Sequence, residues 1–205
     1  MCYDNRGAGS STRDVTDFSM EGYLQDLEAV VERLSLARFA LAGGFDSGPL
    51  AIVYAVRNPQ RVSHLILQST YARRSDVSAT KEMQAFQALR EQDWTIFTET
   101  VAQINTGWSG EPARDIAAFF REAASHEVTI AAYKEIEEFD VTDVLSEVQT
   151  PTLVLHGGTG SRPSVALSRS LAAHIPNARL VVGGWRERLT AMSDFLDEGA
   201  EPAKN

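Results

Sequence analysis

A chain of 205 residues, 43% hydrophobic and 23% charged, is long and apolar enough for one globular domain with a sizeable core, which excludes a disordered chain. Aspartate and glutamate number 28 against 19 lysines and arginines, and the net charge of -9 argues against phosphate backbones or an anionic membrane surface as partners, leaving neutral, apolar or cationic small ligands and proteins. The single cysteine, Cys2, excludes an internal disulfide and a thiolate metal cluster.

The chain starts "MCYDNRGAGS", without a basic segment followed by an apolar one, and no apolar run approaches the ~20 residues that span a bilayer. The expectation is a soluble cytoplasmic protein that uses no cofactor and no metal. The glycine-rich "RGAGSS" reads as a tight loop with Arg6 pairing to Asp4, since it lacks the lysine of a P-loop. Ser19 is placed to cap a helix in which Tyr23, Leu24, Leu27, Val30, Val31 and Leu34 recur at helical spacing. An apolar strand follows from Arg38 to Gly43, then a turn and a helix carrying Ala51, Tyr54 and Ala55, then a second strand from Val62 to Ser69.

From there the strand signal stops. Residues 71–148 read as an all-helical insertion with Met83, Phe86, Leu89, Trp94, Phe97, Val101, Ile116, Phe119 and Phe120 as its apolar positions, and Glu111-Pro112 as a helix start. Strands resume at "TPTLVLHG" and "ARLVVGG", and residues 199–205 read as a frayed tail. Continuous apolar strands alternating with helices imply a parallel sheet covered on both faces, an α/β fold. The expected organisation is a core of residues 1–70 and 149–198 interrupted by the helical cap at 71–148.

The stretches "YDNRGAGSS", "FALAGGFDSGPLAIVYAVRNPQRVSHLILQS", "DVTDVLSEVQTPTLVLHG" and "SRSLAAHIPNARLVV" together resemble the second half of the α/β-hydrolase superfamily. Their wording is similar to hydrolase-like domains of bacterial signalling proteins. The resemblance implies an α/β-hydrolase-type parallel sheet with a helical cap, shortened at its amino end, since the family carries three strands and a helix before "YDNRG". It also implies three catalytic places. The nucleophile belongs at the turn after Gly43, where Phe45 stands; the acid belongs after "TLVLHG", where Thr159 and Gly160 stand; the histidine belongs after the last strand, where Trp185 stands. A phenyl ring has no nucleophilic atom for a base to activate, so the triad is degenerate by residue type.

Asp46 is the remaining nucleophile candidate, through G-x-D-x-G, but that reading shifts the helix face by about 100°. Asp46 is read instead as a cap of the following helix, and Ser47 as a second cap or a solvent-facing turn residue. Phe45 is expected to be buried beneath the insertion. Gly44, Phe45, Asp46, Trp94, Trp108 and His156 are the candidates for lining a ligand pocket, with His156 equally readable as a structural histidine at a strand end and the tryptophans as core. Two functional classes follow: a non-catalytic ligand-binding or interaction protein, or a hydrolase of an ester or similar bond using Asp46. A remnant without a role of its own is the third reading. Finally, the strand from Arg38 to Gly43 lacks a neighbour on one side, so its apolar edge is expected to pair with a partner strand or a second copy.

Overall fold

A computed structural model describes residues 1–105, 110–158 and 162–198. In chain order the elements are α1 (Met20–Arg33), β1 (Phe39–Phe45), α2 (Ser47–Arg57), β2 (Val62–Thr70), α3 (Arg74–Ser78), α4 (Lys81–Gln92), α5 (Trp94–Asn105), α6 (Gly110–Ala123), α7 (His126–Ile136), a short 3₁₀ helix (Thr142–Glu147), β3 (Thr152–His156), α8 (Val165–His174), β4 (Arg179–Val182) and α9 (Trp185–Asp197). The chain divides into two compact units, one of residues 1–29 with 78–138, the other of residues 30–77 with 139–198.

The second unit holds a four-stranded parallel sheet in the order β1-β2-β3-β4. β3 is buried along its whole length and β2 along most of it, whereas β1 and β4 alternate or lie partly exposed, as edge strands do. Ile66, Leu153 and Leu155 project to one face and meet Phe195 of α9. On the other face α2 approaches β1 so closely that a Cβ on Gly43 would stand 2.8 Å from Ala51 Cβ. Leu65, Leu67, Leu153 and Leu155 are almost fully buried, each worth about 2 kcal/mol, and this apolar interior is what fixes the platform carrying the site.

The first unit is helical apart from its opening loop. Ala102, Ala113 and Ala117 let α5 and α6 pack closely, with Ile116 and Phe120 beside them. Trp94 stacks on Phe97 and on His126, whose Nε2 lies 2.6 Å from Arg90 O. Phe119, expected in this core, is 63% exposed instead, because it points away from the face of α6 that meets α5. Ser19 caps α1 as expected, its Oγ accepting from Gly22 N at 3.1 Å, and Tyr23, Leu24, Leu27 and Val31 are buried while Leu34 lies beyond the helix and exposed.

The opening loop corrects one expectation. Arg6 pairs with Asp26, at 2.6 and 2.8 Å, and with Asp17, while Asp4 accepts from Ser10 N. Asp26 sits one turn along α1 from Gly22, whose carbonyl Arg6 also binds, so the helix presents a ready fork-shaped acceptor that Asp4 does not. These bonds raise the Arg6 pKa, chiefly through Asp26, against a smaller opposing effect of burial.

Candidate functional site at the β1–α2 turn

β1 ends and α2 begins within two residues, and Phe45 makes the reversal with φ at 47°. A residue with a Cβ is strained in that left-handed region by about 1–2 kcal/mol, so neighbouring contacts must hold it there. The clamp is visible on both sides. Thr70, fully buried at the end of β2, donates its hydroxyl to Phe45 O at 2.6 Å. Ser47 Oγ accepts from Gly44 N at 3.0 Å and donates to Gly44 O at 2.8 Å. Gly48 is required because a Cβ there would collide with the Thr70 side chain. Pro49 lies in the first turn of α2, where no N–H is needed.

Two expectations change at this turn. Phe45 is 56% exposed rather than buried, since the reversal projects its side chain off the end of the sheet. Asp46 occupies the cap position of α2 but makes no cap hydrogen bond. Its Oδ1 accepts from Tyr71 OH at 2.5 Å and from Arg74 Nη1 at 2.9 Å. Both donors are buried, and a buried guanidinium draws a carboxylate more strongly than helix N–H groups do. Burial foremost, and the Asp46 charge after it, push the Tyr71 hydroxyl pKa well above its usual value, while Arg74 opposes the shift. Ser47 is exposed and bound to Gly44, which agrees with the solvent-facing turn residue of its two readings and not with the cap.

His156 is fully buried and committed on both ring nitrogens: Nδ1 accepts from Gly158 N at 3.0 Å, and Nε2 lies 2.9 Å from Pro163 O. Both ring nitrogens thus hold the strand-end loop, the structural role of its two readings. Trp94 belongs to the aromatic packing of the helical unit. Trp185 opens α9 immediately after β4, is 59% exposed, and carries the Arg186 guanidinium 4.9 Å from its ring centre. Trp108, Thr159 and Gly160 lie outside the described residues. The structure therefore brings Gly44, Phe45 and Asp46 together with Thr70, Tyr71 and Arg74. The last three carried no signal in the sequence, because they lie at or just beyond the end of β2 and reach the turn only through β1–β2 pairing. Among the described residues no group of three or more metal-binding side chains occurs, and no helix is long and apolar enough to cross a membrane.

The parallel sheet with its flanking helices and the strand-to-helix reversal at Phe45 form an α/β-hydrolase-type fold. Comparison with known proteins agrees: residues 1–94 match the family described as alpha/beta hydrolase fold. A protein of Rhizobium rhizogenes named putative carbamate hydrolase RutD is 28% identical over 202 residues, covering 95% of this chain and 73% of that protein. The Karrikin insensitive 2 receptor B of Petunia hybrida is 24% identical over 193 residues, covering 88% of this chain and 70% of that protein. Among solved structures, an N-acyl homoserine lactone degrading enzyme superposes with a TM-score of 0.78 at 23% identity, over 96% of this chain and 81% of that one.

Proposed function

We propose that this chain uses the hydrolase scaffold to bind a neutral, ester-like or lactone-like ligand at the β1–α2 turn without forming a covalent intermediate there. The observation that carries the reading is Phe45: the exposed side chain at the strained, positive-φ position of the turn has no atom able to attack a carbonyl. The same clamp that would hold a nucleophile instead holds an aromatic ring half in solvent, suited to contact the apolar part of a ligand. The ligand class comes from the relatives, named for carbamate hydrolysis and lactone degradation, and one named a receptor supports binding as an outcome of this scaffold.

Hydrolysis is the second reading, and the comparisons weigh more heavily for it than for a non-catalytic role, since most of the relatives carry hydrolase, lactonase or esterase names. It would run through Asp46, whose Oδ1 is held by Tyr71 and Arg74. Purified protein incubated with p-nitrophenyl acetate and with an acyl lactone separates the two. Binding detected by ligand-observed magnetic resonance, weakened in Phe45→Ala and without turnover above buffer, supports the first reading. Turnover abolished by Asp46→Asn establishes the second, and turnover indifferent to Asp46 refutes both assignments of the site.

A further inference from the structure

We infer that Oδ2 of Asp46 selects among ligands of the β1–α2 turn, favouring a lactone or ester that carries a hydrogen-bond donor beside its carbonyl over one that carries none. The inference rests on the ligand class proposed above and names the preferred members of that class. A carboxylate offers two oxygens and about four acceptor positions. In Asp46 both protein donors, Tyr71 OH at 2.5 Å and Arg74 Nη1 at 2.9 Å, land on Oδ1. Oδ2 has no hydrogen-bond partner among the described residues and is not one of their enclosed, unpaired polar atoms. Tyr71 and Arg74 are buried, whereas the Asp46 side chain is 25% exposed. The donors therefore hold the carboxylate from its enclosed side and leave Oδ2 toward solvent.

The same two bonds decide what Oδ2 recognises. They restrain the carboxylate before any ligand arrives, so little further ordering is needed to bind to it. Arg74 also offsets the Asp46 charge, which leaves acceptor capacity with little net charge and suits a neutral donor better than an ammonium group. Burial holds the Tyr71 hydroxyl pKa well above its usual value, so that group remains a donor to Oδ1 and the division between the two oxygens persists. Phe45 directly precedes Asp46, with neighbouring Cα atoms about 3.8 Å apart. Its ring is 56% exposed, so a small ligand resting its apolar part there comes within reach of Oδ2. A ligand without a donor covers Oδ2 and strips its water without replacing the bond, and that penalty is the source of the selection.

Two pairs of γ-butyrolactones test this on the intact chain, the members of each pair differing chiefly in the donor. The α-acetamido lactone is compared with the α-acetoxy lactone, and the α-hydroxy lactone with the α-methoxy lactone. In ligand-observed magnetic resonance titrations the donor-bearing member should bind at least about ten-fold tighter, and the pair showing the larger ratio identifies N–H or O–H as the group read. In Asp46→Asn the amide oxygen keeps Tyr71 and Arg74 while an NH2 takes the place of Oδ2, so the preference should vanish or reverse. Phe45→Ala should weaken both members of a pair alike. The comparison within the parent needs no variant, so it decides the matter even where thermal unfolding shows Asp46→Asn to be poorly folded. Equal affinity within both pairs, or discrimination that survives in folded Asp46→Asn, overturns the inference and leaves the ligand class standing. Failure of all four lactones to bind overturns the ligand class and this inference with it.

Discussion

Replacing Phe45 probes the turn with two effects of opposite sign. At φ 47° an L side chain costs about 1–2 kcal/mol that glycine does not. The ring is 56% exposed, so a little under half of the roughly 2–3 kcal/mol for full burial is realised, about 1 kcal/mol. In Phe45→Gly the two nearly cancel, and the unfolding free energy should shift by less than about 1 kcal/mol. Phe45→Ser keeps the strain and loses the apolar contact, so it should be less stable by about 1 kcal/mol. It should also remain inactive on p-nitrophenyl acetate, because Trp185, not a histidine, follows β4. Urea unfolding followed by tryptophan fluorescence and the ester assay can be run on the same samples. A loss above about 2 kcal/mol in both variants would show the ring to be buried in solution and refute the exposed-turn geometry. Turnover appearing in Phe45→Ser would refute the absence of a base.

Asp46→Ala should destabilise by about 2–4 kcal/mol, since it strips the acceptor from the buried Tyr71 hydroxyl and Arg74 guanidinium; a loss below about 0.5 kcal/mol in chemical denaturation would show the cluster to be idle. Gly48→Ala should cost about 1–3 kcal/mol by driving a Cβ into Thr70, and adding Thr70→Ala should recover part of it; additive losses in the double variant would refute the contact. His156→Phe should cost about 2–3 kcal/mol by leaving Gly158 N–H and Pro163 O without their ring partner, measurable by thermal unfolding. The raised Tyr71 pKa sets an alkaline limit. Above about pH 10 the folded chain keeps a proton that the unfolded chain has released, so stability falls as pH rises. Tyr71→Phe should flatten that limb, and an unchanged slope between pH 9 and about 11 would refute it.

The order of strands and helices was legible in the sequence because it rests on local patterns: continuous apolar runs for β1 to β4, and helical spacing for α1 and α5. The place of Phe45 was legible through the resemblance, because Ala51, Tyr54 and Ala55 stand at the distances from Gly43 that the α/β-hydrolase pattern implies, and the structure puts all three on α2 behind the turn. What stands around that turn was decided only in three dimensions. Tyr71 and Arg74 lie 25 and 28 positions beyond Asp46, and parallel pairing of β1 with β2 carries them to its carboxylate. The same holds for Thr70 against Phe45 O, for Arg6 choosing Asp26 over the nearer Asp4, and for the exposure of the Phe45 ring. Periodicity records which face of an element is apolar. Hydrogen-bond partners and exposure depend on which other segment is brought opposite that face, and a one-dimensional pattern carries no term for that distance.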